Sequence, residues 1–507
     1  MESRTKNVSR NILFGTANKI VSLLLPFITR TLLLYLLGTT SLGISTLFSS
    51  ILNFLSLAEL GVGSAIVYTM YKPIVDDDIS AINSLLNYYK KLYRLIGLAI
   101  LLIGLLLTPF LPHLIKGDVP NGVNLYFLFF LYLCNSSLSY FFAGYRQSLL
   151  SAYQRADIRD KISMGVTTGV RIAEIIAIYL TRNLYIYVLV TILGTISTNI
   201  LITITTHRMF PEIECKGEVS AEVRQSITKR LGGLFGTKLN SIVVHQADTI
   251  IISLFLGLTY VAQYGNYYYI LNAVSGFVMM LFSSMTSSIG NKIVSDSTEE
   301  VYVLFKKINF INNWIVGWCS ICLMCLYHPF MLVWVKEQLT LPILMSFLMT
   351  IYFYIYQIQR TILTFKDAGG LWYEDRFRPY VSMILNLVSN IILVQVIGIY
   401  GIVVSTILAF MISVPWCNYV VFSKMLHKSP GQNLIKMMTN FIITVVVGFI
   451  TYNICSFLPI SIMGIIGRLA ICFIIPNFLY IIIFRNTYEF STFLDLLKQS
   501  IRRKSKC

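Results

Sequence analysis

The chain has 507 residues, 56% of them hydrophobic and 12% charged, with a mean hydropathy of +0.71. A soluble domain is about 45–50% apolar and about 25% charged, so this composition excludes an ordinary water-soluble globule. The formal charge of +17 admits nucleic acid, a membrane surface or an anionic substrate as partner, and the placement of the cations decides among them.

Met1 to Arg10 is polar and basic, and the apolar run Ile12 to Leu37 is longer than a signal h-region and lacks a small-residue cleavage site. It reads as a first membrane helix, with no cleaved signal peptide expected. Further apolar runs predict an all-α polytopic membrane protein of about fourteen helices, each needing ~20 residues to span. They lie near 11–36, 42–70, 92–114, 122–145, 162–181, 183–206, 231–257, 260–290, 308–328, 341–365, 379–396, 398–423, 436–458 and 461–484. The links are short, the longest running from His207 to Arg230.

With the N-terminus cytoplasmic, thirty of the forty Lys and Arg residues fall in inside segments, from Arg4, Lys6 and Arg10 to Arg485–Lys506. Only Lys116, Arg182 and Lys336 fall outside. This asymmetry places both termini inside and explains the basic loops without nucleic acid. The cysteines suggest no disulfide framework. Cys319, Cys322 and Cys325 mimic an iron–sulfur spacing, but their apolar helix makes them buried small hydrophobes, and no metal or cofactor is expected.

The first half recurs in the second. Phe14-Gly15-Thr16 returns as Phe235-Gly236-Thr237, Leu37-Gly38 as Leu256-Gly257, and Arg146 finds a looser match in Arg360. Six helices per unit give parallel copies, as in many secondary transporters. The expected organisation is an N-terminal lobe over 1–210, a C-terminal lobe over 211–430, two extra helices over 431–485 and a basic cytoplasmic tail over 486–507.

Seven cations remain inside helices: Lys19, Arg30, Arg171, Lys238, Arg360, Lys436 and Arg468. Such charges cost ~2.5–3.5 kcal/mol at the bilayer centre and usually face water or a partner. Lys436 and Arg360 lie near helix ends and can snorkel. Arg171 stands three residues from Glu174, which fits either an intrahelical pair or a functional role; Arg468 has no evident partner. On helix 1, Thr16, Lys19, Ser22, Pro26 and Arg30 share one face, suited to a cavity or to a packing stripe. Helix 7 carries Lys238, Ser241, His245 and Asp248 on one face. Helix 2 adds Ser49, Asn53, Ser56 and Glu59. Helix 8 adds Tyr264, Asn266, Tyr267, Tyr268, Tyr269 and Asn272, types that bind sugars or form an interfacial belt. The candidate substrate-binding residues are therefore Lys19, Arg30, Asn53, Lys238, Tyr268 and Asn272. Glu59, His245 and Asp248 are candidates for ion coupling or charge balance.

No Walker-type phosphate loop or His-Glu-x-x-His motif occurs, so no catalytic residue is nominated and an enzyme is not expected. A membrane glycan polymerase or glycosyltransferase should carry a large polar loop, and the outside loops are short and nearly uncharged.

Four stretches carry a resemblance. These are Pro26-Phe27-Ile28-Thr29-Arg30-Thr31-Leu32 before Leu37-Gly38, and Leu57-Ala58-Glu59-Leu60-Gly61-Val62-Gly63-Ser64-Ala65. The others are Ala247-Asp248-Thr249-Ile250-Ile251-Ile252 before Leu256-Gly257, and Asp375-Arg376-Phe377-Arg378-Pro379. Over nearly its whole length the chain resembles the polysaccharide (O-antigen or capsule type) flippases of the multidrug/oligosaccharidyl-lipid/polysaccharide exporter superfamily. The resemblance implies two six-helix lobes and a central cavity lined mainly by helices 1, 2, 7 and 8. It implies transfer of an undecaprenyl-pyrophosphate-linked oligosaccharide from the inner to the outer leaflet of a bacterial cytoplasmic membrane. Alternating access, coupled to H+ or Na+, and polysaccharide assembly proteins as partners belong to the same expectation. Lys19, Arg30 and Lys238 would attract the pyrophosphate. A lipid II flippase would need similar cations. A cation-drug exporter should be acidic where this chain is basic.

Overall fold

The computed structural model describes residues 4–491 except 60, 118, 121, 143 and 284; the side chains of 4–9, 11–13, 58, 229–235, 237, 238 and 287 are outside the described set. Among the described residues every element is helical. The first are α1 (Arg4–Leu32), α2 (Thr39–Leu55), α3 (Val62–Val75), α4 (Ile79–Leu107), α5 (Leu125–Phe141) and α6 (Gln147–Ala152). They continue with α7 (Ala156–Thr181), α8 (Leu184–Met209), α9 (Ala221–Phe255), α10 (Leu258–Ser283), α11 (Thr286–Ser295) and α12 (Thr298–Val335). The last are α13 (Ile343–Ile358), α14 (Arg360–Ala368), α15 (Arg378–Ile397), α16 (Ile399–Val421), α17 (Pro430–Ser456) and α18 (Ile462–Phe484).

Helix occupies all fourteen predicted positions, and the chain is a multi-pass membrane protein. Among the described residues, ten helical stretches are long and apolar enough to cross a membrane, or eleven with a bent pair counted as one. The shortfall from fourteen has a physical cause. Several predicted spans are broken into pieces, and the first half of α9 is polar. The span 42–70 divides into α2 and α3 around a 3₁₀ turn, Ser56–Glu59. Gly61 follows at φ +79, a left-handed conformation that favours glycine. Helices α5 and α6 bend by 50° across a short break. The predicted span 341–365 likewise divides, into α13 and α14, whereas Leu258–Ser295 is one of the ten.

The repeat is visible in these breaks. Gly38 and Gly257, its counterpart, take φ +86 and +96, each between two consecutive helices. Arg146 and Arg360 stand beside the breaks that precede α6 and α14.

By packing, the chain divides into two compact units, Met1–Ala262 and Gln263–Cys507. Within the first, α1 lies along α7, α7 along α8, and α2 along α9. Lys116 N–H donates to Ser253 O (3.0 Å), and the Ser253 hydroxyl donates to Leu114 O (2.7 Å). These bonds tie the end of α9 to the α4–α5 link, which is why the packing boundary falls beyond 210. The repeat-based lobes divide the chain by internal symmetry instead.

In the second unit α12 is the central element, packed against α13, α17 and α18. A buried charge cluster joins the α14–α15 link to the helices. Arg378 donates to both Asp375 oxygens (Nε and Nη2, each 2.6 Å) and to the Ser413 hydroxyl (2.7 Å). Lys366 Nζ lies 3.1 Å from Asp375 and 3.4 Å from Asp367. Two cations share Asp375, so losing that carboxylate leaves buried Arg378 without its carboxylate partner and Lys366 with Asp367 alone. Asp375→Asn is expected to cost about 3–5 kcal/mol, read as a lower melting temperature of the purified protein. Asp375→Glu should recover part of the loss, and equal melting of the wild-type and Asn proteins would contradict the assignment.

Candidate functional site

Helix α1 remains helical through Pro26, although proline leaves one carbonyl of the preceding turn without its N–H partner. Lys19 and Ser22 are exposed and Arg30 is half-buried. Arg30 Nη2 donates to the carbonyl of Ala262, in the first turns of α10 (3.5 Å). Thr29 and Thr31 turn their hydroxyls back to Leu25 O (3.3 Å) and Phe27 O (2.7 Å). Eleven residues of helix separate Lys19 from Arg30 by ~16 Å along the axis, so the two cations share a face without sharing a contact point.

Helix α2 continues the polar character. Ser45 and Ser49 bond back one turn, to Ser41 O and Ser45 O (2.8 Å each), and Ser49 and Asn53 are exposed. Glu59 then sits in the 3₁₀ turn where the helix breaks. Its carboxylate accepts hydrogen bonds from Tyr93 of α4 and from Tyr140 of α5 (2.6 Å). The rings of Tyr89, Tyr93 and Tyr140 form a contiguous cluster, with centroids 4.4 Å apart for the first pair and 5.2 Å for the second. A carboxylate is therefore held by two phenols at the one place where α2 and α3 are uncoupled. Charge-assisted bonds of this kind contribute roughly twice as much as neutral ones.

A second intramembrane carboxylate, Glu174, is fully buried. Arg171 Nη1 donates to its Oε2 (2.6 Å), and the Thr191 hydroxyl of α8 donates to its Oε1 (2.8 Å). This realises the intrahelical pair and leaves Glu174 compensated. The ladder extends through Thr195, whose hydroxyl donates to Asn135 of α5 (2.8 Å).

On α9, Ser241 is exposed, His245 half-buried and Asp248 buried. The side chain of Lys238 lies outside the described residues. The α10 tyrosines divide by role. Tyr267 is buried, donates its hydroxyl to Leu341 O (3.1 Å), accepts from Leu341 N–H (3.2 Å) and receives the Tyr327 hydroxyl at its own carbonyl. It is a core residue. Asn266 is buried, whereas Tyr268 is half-buried and stacks on Tyr264 (6.0 Å between centroids, 13° between planes); Asn272 is exposed.

The remaining helix cations find local partners. Arg360 lies 5.1 Å from the Tyr356 ring centroid and donates to Gln357 Oε1 (3.4 Å). Lys436 is exposed and donates to Glu489 (3.2 Å). Arg468 donates to Leu458 O (2.6 Å). The second unit also holds a polar pocket of about 300 Å³ between α12 and α17, lined by Lys306, Asn309, Asn313, Asn433, Lys436 and Glu489. None of the nominated site residues lines it.

The tyrosines around Glu59 were not nominated from sequence. Tyr89 and Tyr93 are one helical turn apart, a visible signal, but nothing local connects them to a carboxylate thirty-four residues earlier.

No family model and no curated protein matches the sequence. Solved structures do match in fold. A lipid II flippase, MurJ, in an inward closed conformation superposes with a TM-score of 0.66 at 14% identity, covering 94% of this chain and 99% of the other. An inward-facing multidrug resistance transporter of the MATE family and MOP superfamily gives 0.58 at 14% identity, covering 79% and 94%. The Vibrio cholerae MATE transporter VcmN gives 0.57 at 13% identity, covering 83% and 98%. The chain has the fold of these exporter-superfamily transporters.

The tyrosine clamp on Glu59 generates a prediction. Tyr140→Phe is expected to lower stability by about 1.5–3 kcal/mol and to speed backbone hydrogen exchange across 56–63. Unchanged exchange in that segment would show that the phenol does not hold the break.

Proposed function

We propose that this membrane protein is a secondary transporter that flips an undecaprenyl-pyrophosphate-linked oligosaccharide from the inner to the outer leaflet for surface polysaccharide assembly. The observation that carries the reading is the polar, cationic face of α1, continued by exposed Ser49 and Asn53 on α2 and Ser241 on α9. Ammonium, hydroxyl and amide groups exposed on apolar helices are costly against lipid, so such a face belongs on a water-filled cavity. Likeness to transporters over 94% of the chain supports the same class at the level of fold.

A pyrophosphate carries at least two negative charges and is attracted by guanidinium and ammonium groups where the local dielectric is low. Lys19 and Arg30, ~16 Å apart on one helix, offer it two successive positions rather than one clamp. Lys238 on α9 is a third cation of the proposed set. Amides and aromatic faces suit the sugars, and the proposed residues of these types are Asn53, Tyr268 and Asn272. The lobes over 1–210 and 211–430 would alternate in access, with both termini in the cytoplasm of a bacterium. Glu59, His245 and Asp248 are the proposed groups for H+ or Na+ coupling or for balancing the cationic face. Glu59 is the best placed of these, because it sits at the helix break and is held by side chains of two other helices.

A lipid II flippase is the second reading, favoured by the match to MurJ. The two separate on the accumulated intermediate. In a deletion strain, expected accumulation is of a lipid-linked oligosaccharide other than the peptidoglycan precursor, and accumulation of that precursor would select the second reading. Arg30→Ala and Lys19→Ala, expressed at wild-type level in the membrane, are expected to abolish surface polysaccharide. Wild-type polymer in both would refute the cationic path.

A further inference from the structure

The second unit contains a side-chain cluster that transport does not use. Cys325 of α12, Cys455 of α17 and Cys472 of α18 bring their Sγ atoms within 4.8 Å of one another, and all three residues are 0% exposed. The spacing noted in the sequence, Cys319, Cys322 and Cys325, is thus not the relevant set. Cys325 instead meets two thiols contributed 130 and 147 positions later. Three thiols converging from three helices exceed what small apolar side chains need, since an alanine or valine would fill the same space.

The surroundings favour charge in the cluster. Arg468 stands one helical turn before Cys472, is itself 6% exposed, and donates Nη2 to Leu458 O (2.6 Å), three residues beyond Cys455. Its Nε has no hydrogen-bond partner among the described residues. A buried guanidinium without a carboxylate is costly unless a nearby group supplies negative charge. The Trp318 indole N–H donates to Cys472 O (2.9 Å) and fixes that ligand's helix. Ile321, Val447 and Tyr480 complete the same core.

We propose that Cys325, Cys455 and Cys472 form a three-thiolate site for a thiophilic divalent d¹⁰ cation such as zinc, a neutral fourth ligand such as water completing the tetrahedron. Metal–sulfur bonds of ~2.3 Å would place the sulfurs ~3.8 Å apart, within the 4.8 Å that encloses the present cluster. Binding converts three S–H groups to thiolates, forms three metal–sulfur bonds and releases three protons to bulk solvent. The charges then close: three thiolates, one divalent cation and Arg468 sum to zero. A monovalent or trivalent ion would leave a net charge in an apolar core. Hard cations such as magnesium and calcium prefer oxygen ligands, which the cluster lacks. The site pins α17 and α18 to α12, a structural role for the two helices outside the six-helix repeats.

The test uses the full-length protein, purified in lipid nanodiscs from cells grown with added zinc, and then exchanged with cadmium as a spectroscopic probe. One zinc per chain is expected, followed on exchange by a sulfur-to-cadmium charge-transfer band in the ultraviolet. Cys455→Ser and Cys472→Ser should lose the band, Arg468→Met should weaken cadmium binding, and Cys134→Ser, at a half-buried thiol elsewhere, should keep both. If the serine variants fail to fold, the wild-type zinc content and band still decide. Metal-free wild-type protein with no band, an undiminished band in the triple serine variant, or a mass two hydrogens low with these thiols joined as a disulfide would each overturn the proposal.

Discussion

A chain that crosses a bilayer has no water with which to satisfy its backbone, so every N–H and C=O must find a partner within the protein. That constraint produces the uniform helicity here, and it gives each interruption of a helix a cost that side chains must offset. The break between α2 and α3 is the clearest case. It uses a 3₁₀ turn, a left-handed glycine and a carboxylate fastened by two tyrosine hydroxyls from α4 and α5. Position and chemistry therefore coincide: the segment whose backbone is least self-sufficient is also where an ionisable group is held by neighbours.

The interior charges obey a related rule. Glu174 is compensated by Arg171 and Thr191, and Asp375 by Arg378 and Lys366. These groups are locked and have no freedom left for a ligand. Lys19 is different, because it is exposed on a helix too apolar for water to be assumed. The contrast between compensated and exposed charges separates charges that hold the architecture from those left open more cleanly than a count of charges does.

Much of this was legible in the sequence, because hydropathy and loop charge are local properties. The fourteen helical positions follow from apolar runs, and the Arg171–Glu174 pair from spacing on one helix. What was not legible depends on contacts between distant segments. Nothing near Glu59 announces Tyr140, eighty-one residues later. Nothing near Cys325 announces Cys455 and Cys472, and the closer Cys319 and Cys322 point in the wrong direction. The α10 tyrosines show the limit from the other side: Tyr267 and Tyr268 are adjacent and chemically identical. One is a core residue bonded to Leu341 and the other is half-buried beside Tyr264. Only helix phase against particular neighbours tells them apart.

The breaks also bear on how such a molecule moves. They fall between α2 and α3, between α5 and α6, and between α13 and α14. The breaks before α6 and α14 stand beside Arg146 and Arg360, matched positions in the two halves. A straight helix transmits displacement along its whole length, whereas a broken one lets its two segments move through different angles. A break at the fourth helix of both halves gives each half one joint at the same place. The helices outside the repeat, α17 and α18, are instead fastened to α12 through a dry core of thiols and aromatic rings. Jointed helices within the repeat and fastened ones outside it divide the molecule into parts that bend and parts that brace.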